Sequence, residues 1–211
     1  MPVLSEHVLK RPGKHVLIRV ALLFAVFACN SSNVYAQDVV QQDFSWAVTA
    51  YGAKLTGDSF DEVLKGDADF TSNKLWVVAV SRRILRMRWD IDLEAEAQIA
   101  KHDSLDRHWE FNGLADLRWN RFFWDKYVDT SAAVGLGLSY ATEKPEFEIE
   151  EQGASNRLMA YMLFELAFSL PEFPRWALVA RWHHRSAAWG TFEDDIETAS
   201  NAIGLGLKRR F

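Results

Sequence analysis

The chain has 211 residues, 24 Lys and Arg against 29 Asp and Glu, a formal net charge of −5, and one cysteine. That length fits one domain, the acidic balance argues against a nucleic-acid binder, and a lone cysteine excludes a disulfide framework. Nine Trp and fourteen Phe are many for a secreted soluble domain.

The N-terminus reads as a secretory signal. Lys10, Arg11, Lys14 and Arg19 precede an apolar run from Val20 to Ala28, and Val34-Tyr35-Ala36 forms a small-residue cleavage site. The expected division is a signal peptide over 1–36 and a mature domain over 37–211. Cys29 lies inside the leader, where Val26-Phe27-Ala28-Cys29 offers a lipoprotein signal as a second reading. Removing four basic and one acidic side chain from 24 and 29 leaves 20 and 28, a net charge of −8. The mature part has no apolar run of about 18 residues, so no membrane helix is expected.

Successive side chains on a strand point to opposite faces, and the mature chain alternates in this way throughout. Phe44 to Ala53 forms the first strand, with Phe44, Trp46, Val48 and Ala50 on one face. A long loop follows to Ser72, with a helical turn at Phe60 to Leu64. Lys74 to Arg82 is the second strand, closed by a tight connection at 82–85. From Leu85 to Ile99 the alternation is unbroken, and nearly every second residue is charged. His102 to Arg107 is a polar loop. Trp109 to Trp119 is the fourth strand, and an aromatic turn follows to Tyr127. Val128 to Tyr140 is the fifth strand, Glu143 to Asn156 a solvated Glu-rich loop, and Arg157 to Leu170 the sixth strand. A Pro-Glu-Phe-Pro segment at 171–174, read as a turn, leads to a terminal hairpin, Trp176 to Phe211, which supplies strands seven and eight.

Eight strands, long polar loops alternating with short turns, and aromatics gathered at the turns and C-terminus make a pattern. It predicts an all-β fold, an eight-stranded antiparallel transmembrane β-barrel of the outer membrane. Its narrow lumen would be filled by side chains, with Arg86, Arg88, Arg118, Arg181 and Arg185 pairing with acidic residues. The competing architecture is a soluble sandwich or lipocalin-like barrel with the apolar faces turned inward.

On the terminal hairpin, one apolar stripe ends in His184 and Ser186, and the facing stripe ends in Glu197. A hydroxyl, an imidazole and a carboxylate in reach of one another are the parts of an activated serine nucleophile. In a barrel these groups face lipid at the outer rim, where polar groups are costly unless they serve something. Two other readings stand beside this one: His184 and Ser186 as headgroup-level rim residues, and Glu197 as a solvated loop acid beside Glu193, Asp194 and Asp195. His183 and Arg185 face the lumen. His102 and His108 flank one loop with no third ligand evident, so no metal site is expected.

His184-Arg185-Ser186 at the end of the penultimate strand, Ile196-Glu197 opening the last, and LEAEAQIAKH at 93–102 resemble the outer-membrane lipid A 3-O-deacylases of the PagL type. The resemblance implies an esterase acting on the ester-linked 3-hydroxyacyl chain of lipid A. Ser186 would be nucleophile, His184 general base and Glu197 the group orienting it. It implies no cofactor, with outer-leaflet lipopolysaccharide as substrate. The family has Asn after the serine where this chain has Ala187, which leaves the backbone N–H groups of 187–190 as oxyanion donors. The rival reading is a non-catalytic barrel for adhesion, ligand binding or envelope stabilisation.

Overall fold

The computed structural model describes residues 44–103, 107–188 and 198–211; the expected leader, 1–36, and Glu197 lie outside them. Eight antiparallel strands close into a barrel in chain order: β1 (Trp46–Thr56), β2 (Lys74–Arg86), β3 (Ile91–Asp103), β4 (Trp109–Trp119), β5 (Asp129–Ala141), β6 (Leu158–Ser169), β7 (Trp176–Ser186) and β8 (Ala199–Arg210). Two short helices lie in the long loops, α1 (Phe60–Lys65) and α2 (Glu146–Gln152). The barrel closes where β1 pairs with β8, Ala47 opposite Arg210 and Thr56 opposite Asn201. Strands of 11 to 13 residues rise about 3.3 Å per residue. At the usual tilt of about 40° they cover a hydrocarbon core of roughly 30 Å.

The faces follow the alternation. Leu136, Leu138, Leu166, Leu178, Leu205 and Leu207 point outward and are exposed, while Arg118, Arg181, Glu96 and Glu165 are buried inside. A belt of exposed aliphatic side chains around every strand is unsustainable in water and is what lipid requires. The inward-apolar alternative is therefore overturned. The belt is bounded at the short-turn end by Trp46, Trp176, Phe173 and Phe211, all exposed. There Arg209 lies over the rings of both Trp176 (5.4 Å) and Phe211 (4.9 Å), the amphipathic pairing suited to a headgroup layer.

Curvature needs room inside. The inward residues of β5 are Ser131, Ala133, Gly135, Gly137 and Ser139, all small. A Cβ at Gly137 would stand 2.0 Å from the Gly113 carbonyl oxygen, so only glycine lets β4 and β5 approach this closely.

Two sequence expectations need correcting. The reversal expected at 82–85 lies at 87–90, so the long alternating run is divided between the end of β2 and all of β3. Trp89 (φ 64°) and Asp90 (φ 58°) make it in the left-handed region, and the Met87 N–H closes it on the Ile91 carbonyl at 2.7 Å. The apolar sequence Leu85, Met87, Trp89, Ile91 keeps its period of two straight through the turn. Alternation alone cannot mark the reversal, and Trp89, 81 % exposed, reads as a strand residue while serving as a turn tip.

The second correction concerns the Glu-rich loop, which is not fully solvated. Its helix α2 sits over the long-loop end of the lumen. Phe147 is buried with Tyr51, Leu55, Leu75 and Ala202. Glu148 is buried and accepts from Arg185 Nη1 (2.6 Å), Ser155 Oγ (2.6 Å) and Ser200 Oγ (2.9 Å). Arg185 thus finds its acid on a loop helix rather than on a strand.

Candidate active site

His184 and Ser186 are alternate residues at the end of β7, on the outward face, as the stripe predicts. The ladder places Ser186 between Ala160 of β6 and Ala199 of β8, and His184 between Met162 and Asn201. Two alanines flank the serine, so its hydroxyl lies in a notch of small residues on a surface otherwise bulky and apolar. Ser186 is half-buried.

His184 faces outward, yet is only 8 % exposed, because α1 folds over it. Phe60 stacks on Trp182 with ring centroids 4.3 Å apart, meets His184 edge-on at 5.8 Å and leans on Phe164 at 5.8 Å. Local sequence holds α1 in place. The backbone N–H of Ser59 donates to the Glu62 carboxylate at 2.9 Å, and Gly66 ends the helix at φ 81°. Asp58, just before it, is tied on both sides. Its carboxylate accepts from Thr56 Oγ1 (2.8 Å) and the Asp69 N–H (2.6 Å), and its carbonyl accepts from Asn201 Nδ2 (2.8 Å).

That last bond settles the histidine tautomer. With its Nδ2 donating to Asp58, Asn201 presents Oδ1 as an acceptor. Oδ1 receives Trp182 Nε1–H at 2.9 Å and lies 2.7 Å from His184 Nδ1. An acceptor there requires the proton on Nδ1, which leaves Nε2 with its lone pair, the form a general base needs. Asn201 is a functional residue that the sequence pattern does not single out. The signal that would have found it is register: it stands directly opposite His184, four residues after Glu197.

Among the described residues His184 bonds to Asn201 and not to Ser186. Two positions along a strand separate them by roughly 6.6 Å, so a nucleophile–base contact needs both side chains to turn toward each other. Of the expected oxyanion donors, the Ala187 N–H is already committed to the Thr198 carbonyl at 3.0 Å. Ala188 turns the chain at φ 48°, and 189–190 lie outside the described residues.

His183, one residue along, faces the lumen. Its Nε2 is 3.0 Å from Oε1 of Glu110, an acidic residue of β4. The third group that sequence spacing did not reveal for His102 and His108 is this same Glu110, whose Oε2 lies 2.8 Å from His102 Nε2.

No protein-family model matches this sequence, and no curated protein does. The chain has the fold of an eight-stranded outer-membrane barrel. Among solved structures it is similar to the outer membrane enzyme PagL, with a TM-score of 0.56 and 9 % identity over 78 % of this chain and 99 % of that one. It is also matched by Neisserial surface protein A, with a TM-score of 0.49 and 13 % identity over 79 % and 97 %. Ail of Yersinia pestis matches at a TM-score of 0.41 and 13 % identity over 80 % and 100 %. At these identities the likeness concerns the fold.

Proposed function

We propose that this barrel is an esterase of the outer membrane, resembling the lipid A deacylases, that removes the ester-linked 3-hydroxyacyl chain of lipopolysaccharide. One observation carries the reading: His184 is held with Nδ1 on Asn201 and its other nitrogen available, beside a serine on the lipid-facing surface. Ser186 Oγ would attack the acyl carbonyl while His184 Nε2 takes its proton. The proton then passes to the departing sugar hydroxyl, and water releases the acyl group from the serine. Asn201 orients the imidazole, and Glu197 is proposed, as the resemblance implies, as a further group orienting it. The Ala160–Ser186–Ala199 notch suits a thin acyl chain, walled by Met162, Trp182 and Phe60. The test is the mass spectrum of lipid A from cells producing the wild type or Ser186→Ala. Loss of one hydroxyacyl group with the wild type alone supports the reaction.

The absent Ser186–His184 bond and the committed Ala187 N–H favour a second reading, a barrel of the same fold without catalysis. It predicts identical lipid A from both strains.

Asn201 separates the two readings further. Asn201→Leu removes the acceptor for Nδ1–H, and the rate should fall by up to about 10⁴-fold, the scale of losing the correct tautomer. Asn201→Asp keeps an acceptor for Nδ1–H but loses the Nδ2–H bond to the Asp58 carbonyl, so its activity should fall between those of Asn201→Leu and the wild type. If both variants lose activity equally while folded, a positioning role for Asn201 is wrong.

We also propose that residues 1–36 are a cleaved leader. Intact mass of the purified outer-membrane protein should then correspond to a chain starting at Gln37. A mass including a lipidated Cys29 would support the lipoprotein signal instead.

A further inference from the structure

The long-loop end of the lumen holds a second cluster, across the barrel wall from Ser186. His102 lies near the end of β3 and His108 just before β4, and the backbone N–H of His102 donates to the His108 carbonyl at 3.2 Å. The hairpin brings their rings into a stack, centroids 4.1 Å apart. Glu110 follows two residues on, on the same inward face. All three residues are buried, and one ligand atom from each lies within 4.8 Å of the others.

The partners of Glu110 set it apart in kind. Asp92, Glu94, Glu96, Glu148 and Glu165 each face an arginine or lysine. Glu110 faces His102 through one oxygen and His183 through the other. A guanidinium has no acceptor lone pair to offer a metal, whereas an imidazole ring can present one of its nitrogens as a ligand. Two imidazoles and one carboxylate also form a familiar donor set for a divalent transition ion that keeps a further position for water. Calcium and magnesium, which want six or more oxygen ligands, do not suit it.

The second oxygen of Glu110 is already held. Ser139 Oγ donates to it at 2.9 Å and His183 Nε2 lies 3.0 Å away, while His183 Nδ1 lies 3.2 Å from both Tyr51 and Tyr161 hydroxyls. Such a layer of outer hydrogen bonds is what fixes a ligating carboxylate in orientation. We propose that His102, His108 and Glu110 bind a divalent first-row transition ion, such as zinc, at the mouth of the lumen, with His183 and Ser139 holding the ligating carboxylate. The ion ties the end of β3 to the start of β4 across their connecting loop. It is independent of ester hydrolysis, since its ligands face the lumen while Ser186 faces lipid.

The test uses the full-length mature barrel, untagged, folded in detergent and stripped with chelator. Zinc is titrated against a chromophoric competitor, and cobalt is followed by its visible ligand-field absorption. The expected results are one zinc per barrel, a higher thermal unfolding temperature with zinc, and a loss of affinity of about tenfold or more in His108→Ala and Glu110→Gln. His184→Ala, on the outer face, should bind as the wild type does. Folding of each variant is checked by heat-modifiable migration. No saturable binding, affinity unchanged in folded His108→Ala, or binding lost in folded His184→Ala would each overturn the site. Should Glu110→Gln fail to fold, His108→Ala decides alone.

Discussion

Glu165→Gln is expected to destabilise the barrel by about 3–5 kcal/mol, the usual cost of breaking a buried ion pair from one side. Glu165 sits at the centre of the lumen with no solvent exposure of its side chain. Arg181 reaches its Oε2 through Nε (2.6 Å) and Nη2 (2.5 Å), Arg118 Nη1 reaches Oε1 at 2.8 Å, and Lys208 Nζ bonds the same oxygen. The three cations are not equally dependent on it. Arg181 keeps Glu96, held by two bonds of 2.7 and 2.9 Å, and Arg118 keeps Glu94 at 3.0 Å. Among the described residues Lys208 has Glu165 as its ion-pair partner, so the amide leaves a buried ammonium facing a dipole. Lys208→Met should therefore restore most of the lost stability in the double variant, and a double-mutant cycle by urea unfolding of the detergent-folded barrel reads this coupling. A cost of under about 1 kcal/mol for Glu165→Gln would mean that water, not the carboxylate, solvates these cations.

On the proposed esterase reading, Ser186→Ala should abolish deacylation, with a fall in kcat of about 10⁴-fold or more if Ser186 and His184 act as one unit. Barrel stability should be unaffected, because the half-buried hydroxyl is flanked by Ala160 and Ala199 and an alanine fits there. His184→Ala should give nearly the same loss, and the double variant little more, since removing either partner disables the nucleophile. Additive losses would indicate that the two residues act separately, as contacts for lipid rather than as nucleophile and base. The single Ser186→Ala variant with undiminished activity would move the chemistry elsewhere or remove it.

The barrel itself was legible in the chain. Lipid outside and a packed polar lumen inside force every strand to alternate, so strand number, facing and the polar interior can be read from period-two patterning alone. Facing is also why His184 and Ser186 could be placed together on the outer surface, and His183 and Arg185 on the inner. Patterning failed where the period carries no information. It could not locate the reversal at Trp89 and Asp90, because the alternation continues through the turn. It could not say that Glu148 leaves the loop to cap the lumen, because a short helix among glutamates resembles a solvated segment.

Properties local to one strand can be read from its residues alone: which of them share a face, and that the stripe on β7 ends in a histidine and a serine. Tertiary structure decided what depends on register between distant segments. Register sets Asn201 opposite His184 and brings Glu110 up to His102, His108 and His183. Closure of the barrel carries α1 across β8, so that Phe60 covers a residue 124 positions later in the chain. Alternation specifies the side of a wall; only hydrogen-bonded pairing between strands specifies which side chains stand next to one another.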